Sequence, residues 1–106
     1  MVEARMQGSV LKNMVEAIRE MKVNDTNFNF SHIGFSVQAI DPTRMEVVDI
    51  FLRSDAFKNY CCDRTISIGV NLNNMAKILR SAADDDTITI KADYGIHFAN
   101  FIIESP

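Results

Sequence analysis

Four basic residues have the spacing in this chain best suited to chemistry. Lys12 and Arg19 fall at i and i+7 with Glu16 between them at i+4, and Asn73, Lys77 and Arg80 repeat that spacing further on. On a helix such positions share one side. A side carrying lysine and arginine suits weak, sequence-independent contact with phosphates. Asn13 and Glu20 lie beside the first set, whereas the second has neutral asparagines and no acid. Taken alone, each set reads as a solvated helix face. What adds weight to phosphate contact is recurrence, described below.

Other reactive side chains form no catalytic template. His32 and His97 stand apart from any cysteine or carboxylate motif. Asp84-Asp85-Asp86 lacks the glycine and the spaced ligands of a calcium loop, and reads as a solvated loop. Cys61 and Cys62 are adjacent, so in a strand they point to opposite faces. They read as two reduced thiols, which fits a reducing compartment. There is no phosphate loop, dinucleotide glycine pattern or nucleophile elbow. The expectation is a non-enzymatic protein with no cofactor and no metal.

A second candidate is apolar. Val47 and Met45 follow the turn-forming stretch Asp41-Pro42-Thr43-Arg44, and Ile40 precedes it. With Ile40 set opposite Met45, Phe35, Val37, Val48 and Ile50 form one apolar face of a hairpin. Ser36, Gln38, Asp49 and Arg53 form the other. Ile40, Met45 and Val47 fall on that second, polar face and cluster at its loop end, with Phe51 farther along. The cluster reads equally as a packed minor cluster or as a docking patch.

These groups need elements to hold them, and the elements come in two copies. Gly8, Leu11, Asn13, Met14 and Arg19 recur as Gly69, Leu72, Asn74, Met75 and Arg80, always 61 residues on. Asp25, Thr26 and Gly34 recur as Asp86, Thr87 and Gly95 at the same offset. A constant offset through helical and extended stretches indicates a duplicated unit. It also places Arg19 and Arg80 at the same turn of related helices.

In the first copy a short strand, 1–7, leads into a helix with Ser9 as N-cap and Leu11, Met14, Val15, Ile18 and Met21 buried. Strands follow at 27–31, with Phe28 and Phe30 inward, at 35–40 and at 45–53. Residues 54–64 read as an edge-like stretch around Phe57 and Tyr60. The second copy has a strand at 65–69 and a helix at 71–82 burying Leu72, Met75, Ala76, Leu79 and Ala82. Strands follow at 87–92 and 95–103, the last with both faces partly apolar and so without a phase.

The plan is an α+β fold of a duplicated β-α-β-β-β unit, two helices on a largely antiparallel sheet surface. The counterpart of the 45–53 strand would begin near position 106, so the second unit is expected to lack its final strand. At 106 residues with 47% apolar and 24% charged residues, one globular domain, 1–106, is expected. A net charge of −3 excludes a charge-driven nucleic-acid binder and leaves only a local basic face. No apolar run is long enough to span a bilayer, and no membrane partner is expected.

The run Cys62-Asp63-Arg64-Thr65-Ile66-Ser67-Ile68-Gly69-Val70-Asn71-Leu72-Asn73-Asn74-Met75-Ala76-Lys77-Ile78-Leu79-Arg80 resembles the signature of the eukaryotic sliding-clamp family, proliferating cell nuclear antigen. Glu3-Ala4-Arg5, Gln7-Gly8-Ser9-Val10-Leu11-Lys12 and Leu52-Arg53-Ser54 resemble the same family. The resemblance covers essentially the whole chain and matches the first of the family's two domains.

It implies a nuclear, non-enzymatic DNA-clamp fold in which helices line the hole of a three-subunit ring and sheets form its outer wall. The ring tethers DNA polymerase and serves as a platform in replication and repair. By this resemblance Lys12, Asn13, Arg19, Lys77 and Arg80 face duplex DNA, Asn13 standing where many members carry another lysine. Ile40, Met45 and Val47 match the groove for client peptides, with Arg44 where histidine is common. In the family the final strand pairs with the neighbouring subunit, so self-assembly of this chain into a ring is not expected from its length. The alternative is a truncated clamp-like interaction or regulatory protein that pairs through its free sheet edge.

Overall fold

The computed structural model describes residues 1–43, 45–93 and 99–106. In chain order the elements are β1 (Val2–Gln7), α1 (Gly8–Glu20), β2 (Asp25–Ser31), β3 (Gly34–Ile40), β4 (Val47–Arg53), β5 (Asn59–Cys62), β6 (Ile66–Asn71), α2 (Leu72–Leu79), β7 (Thr87–Ala92) and β8 (Asn100–Glu104). A short 3-10 helix, Ser54–Ala56, follows β4. The expected α+β class holds, but the sheet surface is two four-stranded sheets, ordered β5-β1-β7-β8 and β4-β3-β2-β6. Every pairing among them is antiparallel.

The duplicated units are interlocked. The first comprises β1, α1, β2, β3 and β4, and the second β6, α2, β7 and β8. Each gives its first strand to the other's sheet: β1 pairs with β7, from Val2 opposite Ala92 to Gln7 opposite Thr87, and β6 pairs with β2, from Asn71 opposite Asp25 to Ile66 opposite Phe30. β5 forms one edge of its sheet, as the edge-like stretch led one to expect, and β8 the other. The exchange makes the two copies mutually dependent, and one apolar core runs through both. Phe28, Phe30, Phe35, Leu11, Ile18, Leu72, Ile88 and Ile90 are fully buried in it. Phe35 packs edge-on against Phe28 with ring centroids 5.1 Å apart.

The helices form where apolar residues recur at helical spacing. In α1 Leu11, Met14, Val15 and Ile18 are buried, and Met21 is half-buried at the C-cap. Ser9 is not the N-cap: the helix starts at Gly8, and Gln7 in the capping position offers no side-chain bond. The first amides are satisfied by main chain instead, Gly8 N–H donating to Asp86 O at 2.7 Å and Ser9 N–H to Asp84 O at 3.1 Å. That approach is close enough to require glycine, since a Cβ at position 8 would lie 2.8 Å from Ala83 O. Lys22, at φ 61°, ends the helix in the left-handed region.

In α2 the cap is a side chain: Asn71 Oδ1 accepts from Asn74 N–H at 2.9 Å. Leu72, Met75, Ala76 and Leu79 are buried as the periodicity predicts, but the helix ends at Leu79 rather than at 82, and Ala82 is buried in the chain beyond it. The Asp84–Asp86 loop is less solvated than expected. Asp86 is buried, and its Oδ2 accepts from Ala83 N–H at 2.8 Å.

The β3–β4 hairpin keeps the expected faces but not the expected register. Ile40 stands opposite Val47, Gln38 opposite Asp49, Val37 opposite Ile50 and Phe35 opposite Leu52, a slip of two residues. The cause is Asp41. Its main chain continues the ladder, donating to Glu46 O at 3.1 Å, and its carboxylate accepts from Glu46 N–H at 2.9 Å and from the Thr43 hydroxyl. The turn is thereby moved one residue along, to positions 42–45. β8, which periodicity left unphased, turns Phe101 and Ile103 toward the core and leaves Ile102 exposed.

Candidate nucleic-acid interface

α1 and α2 pack on each other, and the shallow groove between them, about 180 Å³, is lined by Lys12, Val15, Glu16, Ala76, Leu79 and Arg80. The duplication thus brings Lys12 and Arg80, from different copies, to one surface. Lys77 and Arg80 are exposed, and among the described residues neither side chain has a hydrogen-bond or ion-pair partner. α2 carries no acid of its own. Unpaired cations on an exposed helix are free to exchange their counterions for phosphates.

In the α1 half the cations are engaged, as the acids expected beside them allow. Arg19 Nη1 lies 2.9 Å from Glu16 Oε1, one helical turn back. Lys12 is half-buried: its ammonium donates to Ala82 O and lies 3.5 Å from Asp84 Oδ1. Asn13 is exposed and uncharged. Sequence spacing places Glu16 within reach of Arg19, but it cannot show that Lys12 is engaged, because Ala82 and Asp84 come from the other copy. The net positive charge of the strip therefore rests on α2.

The apolar cluster lies on the opposite kind of surface, the outer face of the β4-β3-β2-β6 sheet. Ile40 and Val47 are cross-strand partners, 50% and 56% exposed, and Met45 in the turn is 83% exposed. This excludes a packed minor cluster: the three side chains are open to solvent. Arg44 lies outside the described residues, as do His97 and the Gly95 of the repeat. The turn itself is held by Asp41, whose carboxyl is kept below its ordinary value first by the Thr43 hydroxyl and then by Glu46 N–H.

The remaining reactive groups are structural or solvated. His32 is exposed at the β2–β3 turn. Cys61 is exposed and Cys62 buried, both as free thiols, as adjacent strand positions demand. The Tyr60 hydroxyl bridges the β2–β3 turn at Ser31 O, 2.6 Å away, and Gly34 O, 2.9 Å away. Burial pushes its phenol up to about 12. No helix is long and apolar enough to cross a membrane among the described residues.

Residues 1–106 match the family model described as proliferating cell nuclear antigen, N-terminal domain. The chain is similar to the proliferating cell nuclear antigen of Chaetomium thermophilum, with 40% identity over 106 residues. That match covers 99% of this chain and 40% of the length of the relative.

Proposed function

Because the chain belongs to the proliferating cell nuclear antigen family, over its N-terminal domain, we propose that it is a non-enzymatic sliding-clamp module that supports DNA polymerase processivity. It contributes one domain to a ring around duplex DNA, with α1 and α2 on the inner side and the two sheets on the outer. The observation that carries this reading is the meeting of Lys12 and Arg80 on one surface formed by both helices, with exposed, unpartnered Lys77 and Arg80 supplying its charge. On a chain of net charge −3 a local strip of this size supports brief, sequence-independent phosphate contact rather than tight binding. Retention on DNA then comes from topology, and weak contact leaves the ring free to slide.

The partners are assigned to three surfaces. Duplex DNA meets the helices, other clamp subunits meet the sheet edges, and polymerase and other replication and repair clients meet the apolar patch of Ile40, Met45 and Val47, with Arg44 beside it in sequence. The place of work is the nucleus.

Loading on nicked circular DNA with a clamp loader tests the proposal. Retained protein that is released when the circle is linearised is the expected result. No retention under conditions where a full-length clamp loads removes processivity activity from this chain.

A further inference from the structure

The exposed apolar surface of the hairpin extends beyond Val47. Phe51 is 51% exposed and lies on the same outer face of β4, beyond Asp49. Its cross-strand partner is Ser36, too small to cover the ring. Phe51 is four residue steps along the strand from Val47, which sets them about 13 Å apart. Between them stands exposed Asp49, whose Oδ2 accepts from Gln38 Nε2 at 3.4 Å. Among the described residues of β3, β4 and their turn, the other charges near Val47 are Asp41 and Glu46. Arg53, beyond Phe51, is paired with Asp55 at 3.4 Å. Read along β4, the surface is apolar, acidic, apolar.

A complementary partner has two apolar side chains about 13 Å apart with a cation between them. In an extended peptide, side chains at i, i+2 and i+4 point to one side and span that distance. A helix covers the same distance only over two turns, from i to i+8 at about 12 Å, so the extended strand is the shorter segment that presents both anchors and the cation. Resting on the reading that the hairpin patch receives clients, we propose that Phe51 is a second anchor of that surface. Its partner is an extended peptide in which two large apolar residues, four positions apart, flank a lysine or arginine.

Nuclear magnetic resonance titration of the 15N-labelled chain tests this with three synthetic peptides: one with leucine, lysine and leucine at i, i+2 and i+4, one with serine for the second leucine, and one with glutamate for the lysine. Phe51→Thr is expected to weaken the two-anchor peptide about tenfold and to leave the single-anchor peptide unchanged. The glutamate peptide is expected to bind less well, by a margin that shrinks with added salt. Val47→Thr is expected to weaken both leucine peptides. Threonine suits exposed strand positions, and unchanged thermal unfolding checks that both variants fold.

If Phe51→Thr binds the two-anchor peptide as the wild type does while Val47→Thr weakens it, the second anchor is overturned and the client patch stands. If Val47→Thr changes neither peptide, or the wild type binds nothing at about 1 mM peptide, both readings fall. A sedimentation mass that drops from dimer to monomer with Phe51→Thr assigns the face to a second copy of the chain and overturns the peptide proposal.

Discussion

Lys12 donates its ammonium to the carbonyl oxygen of Ala82, tying the first helix to the chain that leaves the second. The two residues are far apart in sequence and come from different copies of the repeat. The contact places a positive charge just beyond the C-terminal end of α2, the end at which the helix dipole favours a cation. It also means that Lys12 is less available to phosphate than its position on the strip implies.

Replacing Lys12 with methionine keeps the length of the stem and removes the charge. Stability is expected to fall by about 1 kcal/mol, read from urea unfolding. Duplex DNA affinity is expected to drop less than with Lys77→Ala, whose side chain makes no such contact.

Gly8→Ala tests the other tie between the units. Its Cβ would sit 2.8 Å from Ala83 O and 3.2 Å from Asp86 O, both main-chain atoms, so the loop after α2 must move. A loss of about 1–3 kcal/mol in unfolding free energy is expected. Amide exchange should quicken at Gly8 and Ser9, which donate into that loop.

The hairpin turn is sensitive to acid. The Thr43 hydroxyl and Glu46 N–H favour ionised Asp41, so its folded value lies below the ordinary 3.8. The stabilisation is therefore fully present above that ordinary value and lost as pH falls through the depressed one. A carbon-detected titration should show Asp41 with a midpoint below 3.8, and Thr43→Val should move it upward.

The β2–β3 turn is sensitive to alkali. The Tyr60 phenol is raised from 10.0 to about 12 by burial. A raised phenol leaves the folded state holding its proton where the unfolded state has lost it, so stability declines as pH rises from 10 toward 12. Tyr60→Phe is expected to cost about 1 kcal/mol near neutral pH, through the lost bonds to Ser31 and Gly34. The gap between the two proteins should narrow above pH 10.

What the sequence discloses here is what periodicity can carry. The buried stripes of both helices and the two faces of the β3–β4 hairpin are legible because each depends on neighbours along the chain. The hairpin register is not, since a slip of two residues leaves every side chain on its own face. Only the side-chain bonds of Asp41 distinguish Ile40 opposite Met45 from Ile40 opposite Val47. The exchange of β1 and β6 between units is likewise invisible, as is the pairing of Lys12 with Ala82, because both join distant segments. The Gly8 approach is visible only as a recurring glycine. At the site, spacing identified Lys12, Arg19, Lys77 and Arg80 together. The acids beside Arg19 and their absence from α2 were visible there too, but not the ties of Lys12 to Ala82 and Asp84.

The central claim is that the open pair on α2 meets the phosphates, and the salt dependence of duplex DNA binding tests it most directly. The Lys77→Ala/Arg80→Ala variant is expected to lower the slope of log affinity against log salt by about 2, while Lys91→Ala, a change on the β7 sheet surface, leaves it as in the wild type. An unchanged slope in the double variant, or an equal loss with Lys91→Ala, would contradict the account.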